Sequence, residues 1–150
     1  MQVWVDADAC PRAVRDILIK MAVRLKINVT FVSNQRHHIP RSEFLDTKQV
    51  AGGFDIADEF IIERASANDL IVSSDLPLAA ACIKKKSYVL TPRGRLFDAD
   101  NIHEALTLRN LKEELRSGGI KTGGQKPFSN KDKERFANQL DRFIRNYWKY

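Results

Sequence analysis

Val3-Trp4-Val5-Asp6-Ala7-Asp8-Ala9-Cys10-Pro11 is a short apolar run that ends on a carboxylate and is followed by a proline. The same design returns in Asp69-Leu70-Ile71-Val72-Ser73-Ser74-Asp75-Leu76-Pro77. A brief run rich in β-branched residues reads as a strand. Proline suits the first turn of a helix, because its missing N–H would bond nothing there and its φ is already helical. Each segment is therefore strand, loop, helix. After Pro11, Val14, Ile17, Leu18, Met21, Ala22 and Leu25 keep helical spacing, and after Pro77 a helix is expected from Leu78 to about Lys85.

Outward from these two segments the alternation continues. Val29-Thr30-Phe31-Val32 predicts a second strand that stops at the polar loop Ser33-Asn34-Gln35-Arg36-His37-His38. A connector with Pro40, Gly52 and Gly53 leads to Asp55, a helix N-cap, with Ala57, Phe60, Ile61 and Arg64 in the helix and Asp58 near its first turn. Tyr88-Val89-Leu90 predicts a short strand before the turn Thr91-Pro92-Arg93-Gly94. Ile102, Leu106, Leu111 and Leu115 mark a helix closing at Gly118-Gly119. Ser129, with Asp132 three residues on, caps a last helix striped by Phe136, Leu140, Phe143, Ile144 and Tyr147. Strands alternating with helices imply a mostly parallel sheet, right-handed crossovers and helices on both faces: an open three-layer α/β sandwich. The chain of 150 residues is expected to form one domain, with a basic helical extension at about 119–150.

The composition, 43% hydrophobic and 29% charged, is that of a soluble globular protein, and no apolar run nears the ~20 residues of a membrane span. Met1 leads straight into the first strand without a signal-like segment, so a cytoplasmic location and no membrane role are expected. Cys10 and Cys82 lie beside alanines without metal-ligand or CxxC spacing and read as reduced, buried thiols. The net charge of +6 is unevenly held: residues 1–108 carry 14 basic and 14 acidic side chains, and residues 109–150 carry 11 and 5. A basic C-terminal part suits a phosphate backbone such as RNA, and equally a solvated face.

Ligands of such sheets bind outside the carboxyl ends of the strands. If the first strand and the one before Asp75 are neighbours, at ~4.8 Å spacing, Asp6, Asp8 and Asp75 come within reach of one hydrated cation. Without a cation, carboxylates so close would repel or take up protons. Hard oxygen donors favour Mg²⁺ or Mn²⁺ over zinc. Asp8 and Asp75 also suit plain helix capping, which leaves Asp6 at the end of a hydrophobic strand without a role. Asp58 is a further candidate acid, or a favourable charge at a helix start. Asn34, Ser74 and Arg93 are candidate substrate contacts, Arg93 for a phosphate. His37 and His38 read as loop residues. The glycines at 118, 119, 123 and 124 follow no strand and precede no Gly-Lys-Ser/Thr, so no nucleotide cofactor is expected. No feature fixes an oligomeric state.

The motifs Asp6-Ala7-Asp8-Ala9-Cys10-Pro11, Asp55-Ile56-Ala57-Asp58, Asp69 to Ala79, and Pro92-Arg93-Gly94 followed by Asn101-Ile102 resemble the YaiI/YqxD family of uncharacterised bacterial proteins. The likeness reaches Phe128 and Leu140-Asp141-Arg142 and so spans nearly the whole chain. That family looks PIN-like, related to metal-dependent nucleases that cluster acids at one edge of a parallel sheet. The resemblance implies that Asp6 and Asp75 match the strand-end acids, Asp58 the helix acid, and Asp8 an additional ligand. Asp8 and the basic extension depart from a generic PIN pattern.

The leading functional expectation is a Mg²⁺- or Mn²⁺-dependent nuclease acting on RNA, with Asp6, Asp8, Asp58 and Asp75 as the catalytic set and Asp6, Asp8 and Asp75 as metal ligands. One alternative is a phosphohydrolase with Asp6 as nucleophile and Asp8 as general acid. Another is a non-catalytic RNA-binding or adaptor domain that retains a metal site.

Overall fold

Val3 and Val5 point to one side of their strand and Trp4 to the other, and this period of two sets the layers of the molecule. The computed structural model describes residues 1–53 and 55–148; Phe54 and the end of the basic extension, Lys149 and Tyr150, lie outside the described residues. Among the described residues six strands are formed: β1 (Gln2–Asp6), β2 (Asn28–Ser33), β3 (Leu45–Gln49), β4 (Leu70–Val72), β5 (Tyr88–Leu90) and β6 (Leu96–Phe97). Five α-helices accompany them: α1 (Arg12–Leu25), α2 (Ile56–Arg64), α3 (Leu76–Lys84), α4 (Ile102–Ser117) and α5 (Asn130–Tyr147). Their sheet has the order β3-β2-β1-β4-β5-β6, parallel except for the β5–β6 hairpin.

On one face Val3, Val5, Val29, Phe31, Leu70, Val72 and Leu90 pack with buried residues of α1 and α5. On the other, Val32, Ile71 and Val89 pack with α2, α3 and the start of α4. The expected three-layer α/β sandwich with a mostly parallel sheet is thus the observed architecture. The last helix is held in it by Phe136, Leu140, Phe143 and Ile144, all buried against the first face. Full burial of such side chains contributes ~1.5–3 kcal/mol each. The expected capping box at its start is present, with Ser129 and Asp132 exchanging side-chain to backbone bonds. Among the described residues no helix is long and apolar enough to cross a membrane.

Two strands were not foreseen. β3 is an edge strand, Leu45-Asp46-Thr47-Lys48-Gln49, with its last four residues exposed. Charged and polar side chains on an exposed edge discourage pairing with another chain, and they also erase the apolar alternation by which a strand is recognised. β6 is a two-residue return after the Thr91 to Gly94 turn, too short for periodicity to show.

The chain proceeds from β1 outward through β2 to β3, then returns through α2 to β4 on the opposite side of β1. The strand order therefore reverses between β1 and β4, the position where open α/β sheets part their connections and leave a crevice at the carboxyl ends. At the other end of these strands Asp69 is buried and ties them together, accepting from the Gln2 N–H at 3.1 Å, Trp4 Nε1 at 3.2 Å and the Ser66 N–H at 2.9 Å. Removing it leaves these part-buried donors without their acceptor. Asp69→Ala is expected to lower the unfolding free energy by about 3 kcal/mol, read from urea denaturation, without altering a site at the opposite end of the strands.

Candidate functional site

The pairing of Val5 with Val72 brings Asp6, the last residue of β1, abreast of Ser73, the residue after β4. Ser73 is buried, and its hydroxyl donates to Asp6 Oδ2 at 3.1 Å while accepting the Asp75 N–H at 3.0 Å. One hydroxyl thus fixes two of the acids. Asp75 is the N-cap of α3: Oδ1 accepts the Leu78 N–H at 3.1 Å, with Pro77 in the first turn. Asp58 lies in the first turn of α2, and its carboxyl meets that of Asp75.

The electrostatics follow from this crowding. Burial, followed by the hydrogen bond and negative charge of Asp75 and the charges of Asp6 and Asp55, holds the proton of Asp58 up to about 7. Burial also raises Asp6; the Ser73 hydroxyl opposes the rise, and the charges of Asp75 and Asp8 add to it. Burial first, and then the mutual repulsion of the carboxylates, pushes both acids up.

Asp8 is placed differently. It follows β1 in the 3-10 turn Ala7–Ala9 and reaches toward the loop after β2. There it accepts from the Asn34 and Gln35 N–H groups and meets His37 Nε2 at 3.0 Å. Desolvation works against its charge, but the bonds from Asn34, His37 and Gln35 prevail and its pKa is lowered. Arg15 Nη1 lies 2.8 Å from His37 Nδ1. A guanidinium only donates, so Nδ1 accepts and Nε2–H donates to Asp8. Arg15, His37 and Asp8 form a chain that anchors the loop, and no sequence spacing announced it.

Of the candidate substrate contacts, Asn34 is exposed and uses its backbone N–H on Asp8. Ser74 is exposed and lines a cleft of about 320 Å³ with Pro92, Arg93, Arg95, Gln125 and Phe128. Arg93 is engaged within the protein, on Asp132 Oδ2 at 3.1 Å and on the carbonyl of Lys126. Its guanidinium joins the turn to α5 and the linker before it.

Among the described residues no group of three or more His, Cys, Asp or Glu side chains is placed to hold a metal ion as it stands. The acids form the close pair Asp58 and Asp75, with Asp6 linked through Ser73, while Asp8 turns to its own partners. Both cysteines are free and buried. Burial pushes Cys10 up to about 12 and Cys82 to about 11, so neither supplies a thiolate near neutrality.

Comparison with known proteins places the chain among close relatives. A UPF0178 protein of Maridesulfovibrio salexigens is 51% identical over 144 residues, covering 96% of this chain and 95% of that one. UPF0178 proteins of Dechloromonas aromatica and Hydrogenovibrio crunogenus are 47% and 46% identical, with 96% and 98% of this chain and 96% and 97% of theirs covered. No solved structure matches. Residues 4–146 match the profile described as "Uncharacterized BCR, YaiI/YqxD family". Aligned over almost its entire length with that profile and with these relatives, the chain belongs to the YaiI/YqxD family.

Proposed function

We propose that this protein is a Mg²⁺- or Mn²⁺-dependent phosphodiesterase acting on RNA, with Asp6, Asp58 and Asp75 at its centre. The observation that carries this reading is the gathering of these acids where the strand order reverses, with Asp6 linked to Asp75 through Ser73 and Asp58 beside Asp75, where burial and the neighbouring charges hold the proton of Asp58 up to about 7. The resemblance to PIN-like nucleases supports it. So does the donor chemistry: Mg²⁺ keeps several waters and takes only one or two protein carboxylates, so a pair with a third acid beside it suits a hydrated ion where a three-ligand cage is not formed.

Asp58 and Asp75 would hold the ion, and Asp8 would keep the loop after β2 in place. Such an ion lowers the pKa of a bound water and stabilises a leaving oxygen. Asp6, raised in pKa and fixed by Ser73, would accept the proton of the attacking water. The basic linker and α5 would attract the RNA backbone; the linker passes the same edge, with Gln125 and Phe128 in the cleft that holds Ser74.

The phosphohydrolase alternative needs Asp8 to arrive protonated as a general acid. Its lowered pKa and its acceptor role toward Asn34 and Gln35 argue against that. The reading is tested with labelled single-stranded RNA in Mn²⁺, wild type against Asp6→Asn. We expect cleavage that the variant loses by at least about 100-fold while its circular dichroism stays unchanged. RNA bound but left intact by the wild type would turn the assignment to a non-catalytic RNA-binding domain.

A further inference from the structure

On the α1 side of the same edge, the helix and the loop after β2 enclose a cleft of about 500 Å³ that the proposed chemistry does not use. Its polar lining is Arg12, Arg15, Lys20 and His38, with Asp16 as the one acid. Arg15 is held in place by His37 through Nη1, and its Nε is buried without a hydrogen-bond partner among the described residues. Of the five donors of a guanidinium, the hydrogen bonds of Arg15 among the described residues account for one. A fixed arginine with most donors unspent, beside a second arginine and a lysine, is short of an acceptor with several oxygens. Phosphate meets the planar fork of an arginine with two such oxygens at once. The same Arg15–His37–Asp8 chain connects this cleft to the loop that borders the acids.

We propose that the cleft seats a phosphate group of a polynucleotide strand, flanking the phosphate presented to the acids, with Arg12 and Arg15 as its principal donors and Lys20 as supporting charge. The strand as ligand rests on the function proposed above; the cleft's affinity for phosphate does not.

The test is equilibrium binding of a fluorescein-labelled single-stranded RNA in EDTA, which separates binding from hydrolysis, over a salt series. Arg12→Ala/Lys20→Ala alters two exposed positions, which preserves folding, and Arg15→Lys keeps the charge but removes the fork. For a single strand, each phosphate that the protein no longer neutralises reduces the slope of log K against log salt by about 0.7. We expect the double variant to lose at least that slope and to bind roughly 10-fold more weakly in low salt, with Arg15→Lys weakened as well. Slopes and affinities equal to the wild type would overturn the proposal. Displacement of the RNA by sub-millimolar inorganic phosphate would assign the cleft to a small anion and overturn the strand. A reduced slope with no cleavage by the wild type in Mn²⁺ would keep the cleft and remove the hydrolytic function; full cleavage with an unchanged slope would do the reverse.

Discussion

At pH 8 in EDTA, Asp58→Asn is expected to melt about 3 °C above the wild type, although the same change removes a proposed metal ligand. The reason is the raised pKa of Asp58, set first by burial and then by the hydrogen bond and charge of Asp75. In the folded protein Asp58 holds its proton to about 7, whereas the unfolded chain releases it near 3.8. A folded-state pKa raised in this way gives stability that is complete below about 4 and is lost as pH rises through about 7. Asparagine has no proton to release and keeps its bond to Asp75 at every pH. The gain should therefore narrow toward zero by pH 4 and be fully developed at pH 8. Discounted for the solvent that screens a partly exposed pair, it amounts to about 1 kcal/mol. Calorimetric scans at the two pH values check this; a variant that is less stable than wild type at pH 8 would show that Asp58 is a structural acid.

Gly94→Ala is expected to cost about 3 kcal/mol, or roughly 10 °C in melting temperature, by forcing the turn off the last helix. Gly94 has φ +91°, where a side chain is strained. A Cβ there would also stand 2.6 Å from both the carbonyl carbon and Cβ of Arg135 and 2.8 Å from the Phe136 nitrogen. Backbone cannot yield as a flexible side chain does, so relief requires α5 to shift at the point where Phe136 is fully buried. The salt bridge from Arg93 to Asp132, one turn earlier on α5, would be disturbed with it. A melting temperature within 2 °C of wild type, ~0.5–1 kcal/mol in a chain of this size, would show that α5 docks loosely enough to move aside.

The parallel sheet could be inferred from the sequence because Val3-Trp4-Val5 and Leu70-Ile71-Val72 are covered by helices on both faces, Trp4 half-buried and the others buried, and so read as unbroken apolar runs. Helix ends marked by capping chemistry were equally plain: Ser129 with Asp132, Asp75 with Pro77, and Gly118-Gly119. β3 was not, because an exposed edge strand carries the polarity of a loop. Asp6, Asp58 and Asp75 could be singled out from carboxylates at strand and helix ends. Their ranking could not, since the period of a strand says nothing of which oxygen a neighbouring loop will claim. Asp8 shows this most clearly: its partners Asn34, Gln35 and His37 are brought to it only by the β1–β2 pairing. Ser73 stands inside the second strand-end motif without a role that the motif assigns, and its part in joining Asp6 to Asp75 appears only in three dimensions.

The most direct test of the central claim is calorimetric titration of Mn²⁺ into the wild type and into Asp58→Asn/Asp75→Asn at pH 7.5. The proposed site predicts saturable binding to the wild type that the double variant loses. Binding undiminished in the double variant, or no binding to either protein, would contradict a metal site at these acids and leave Asp75 as the cap of α3.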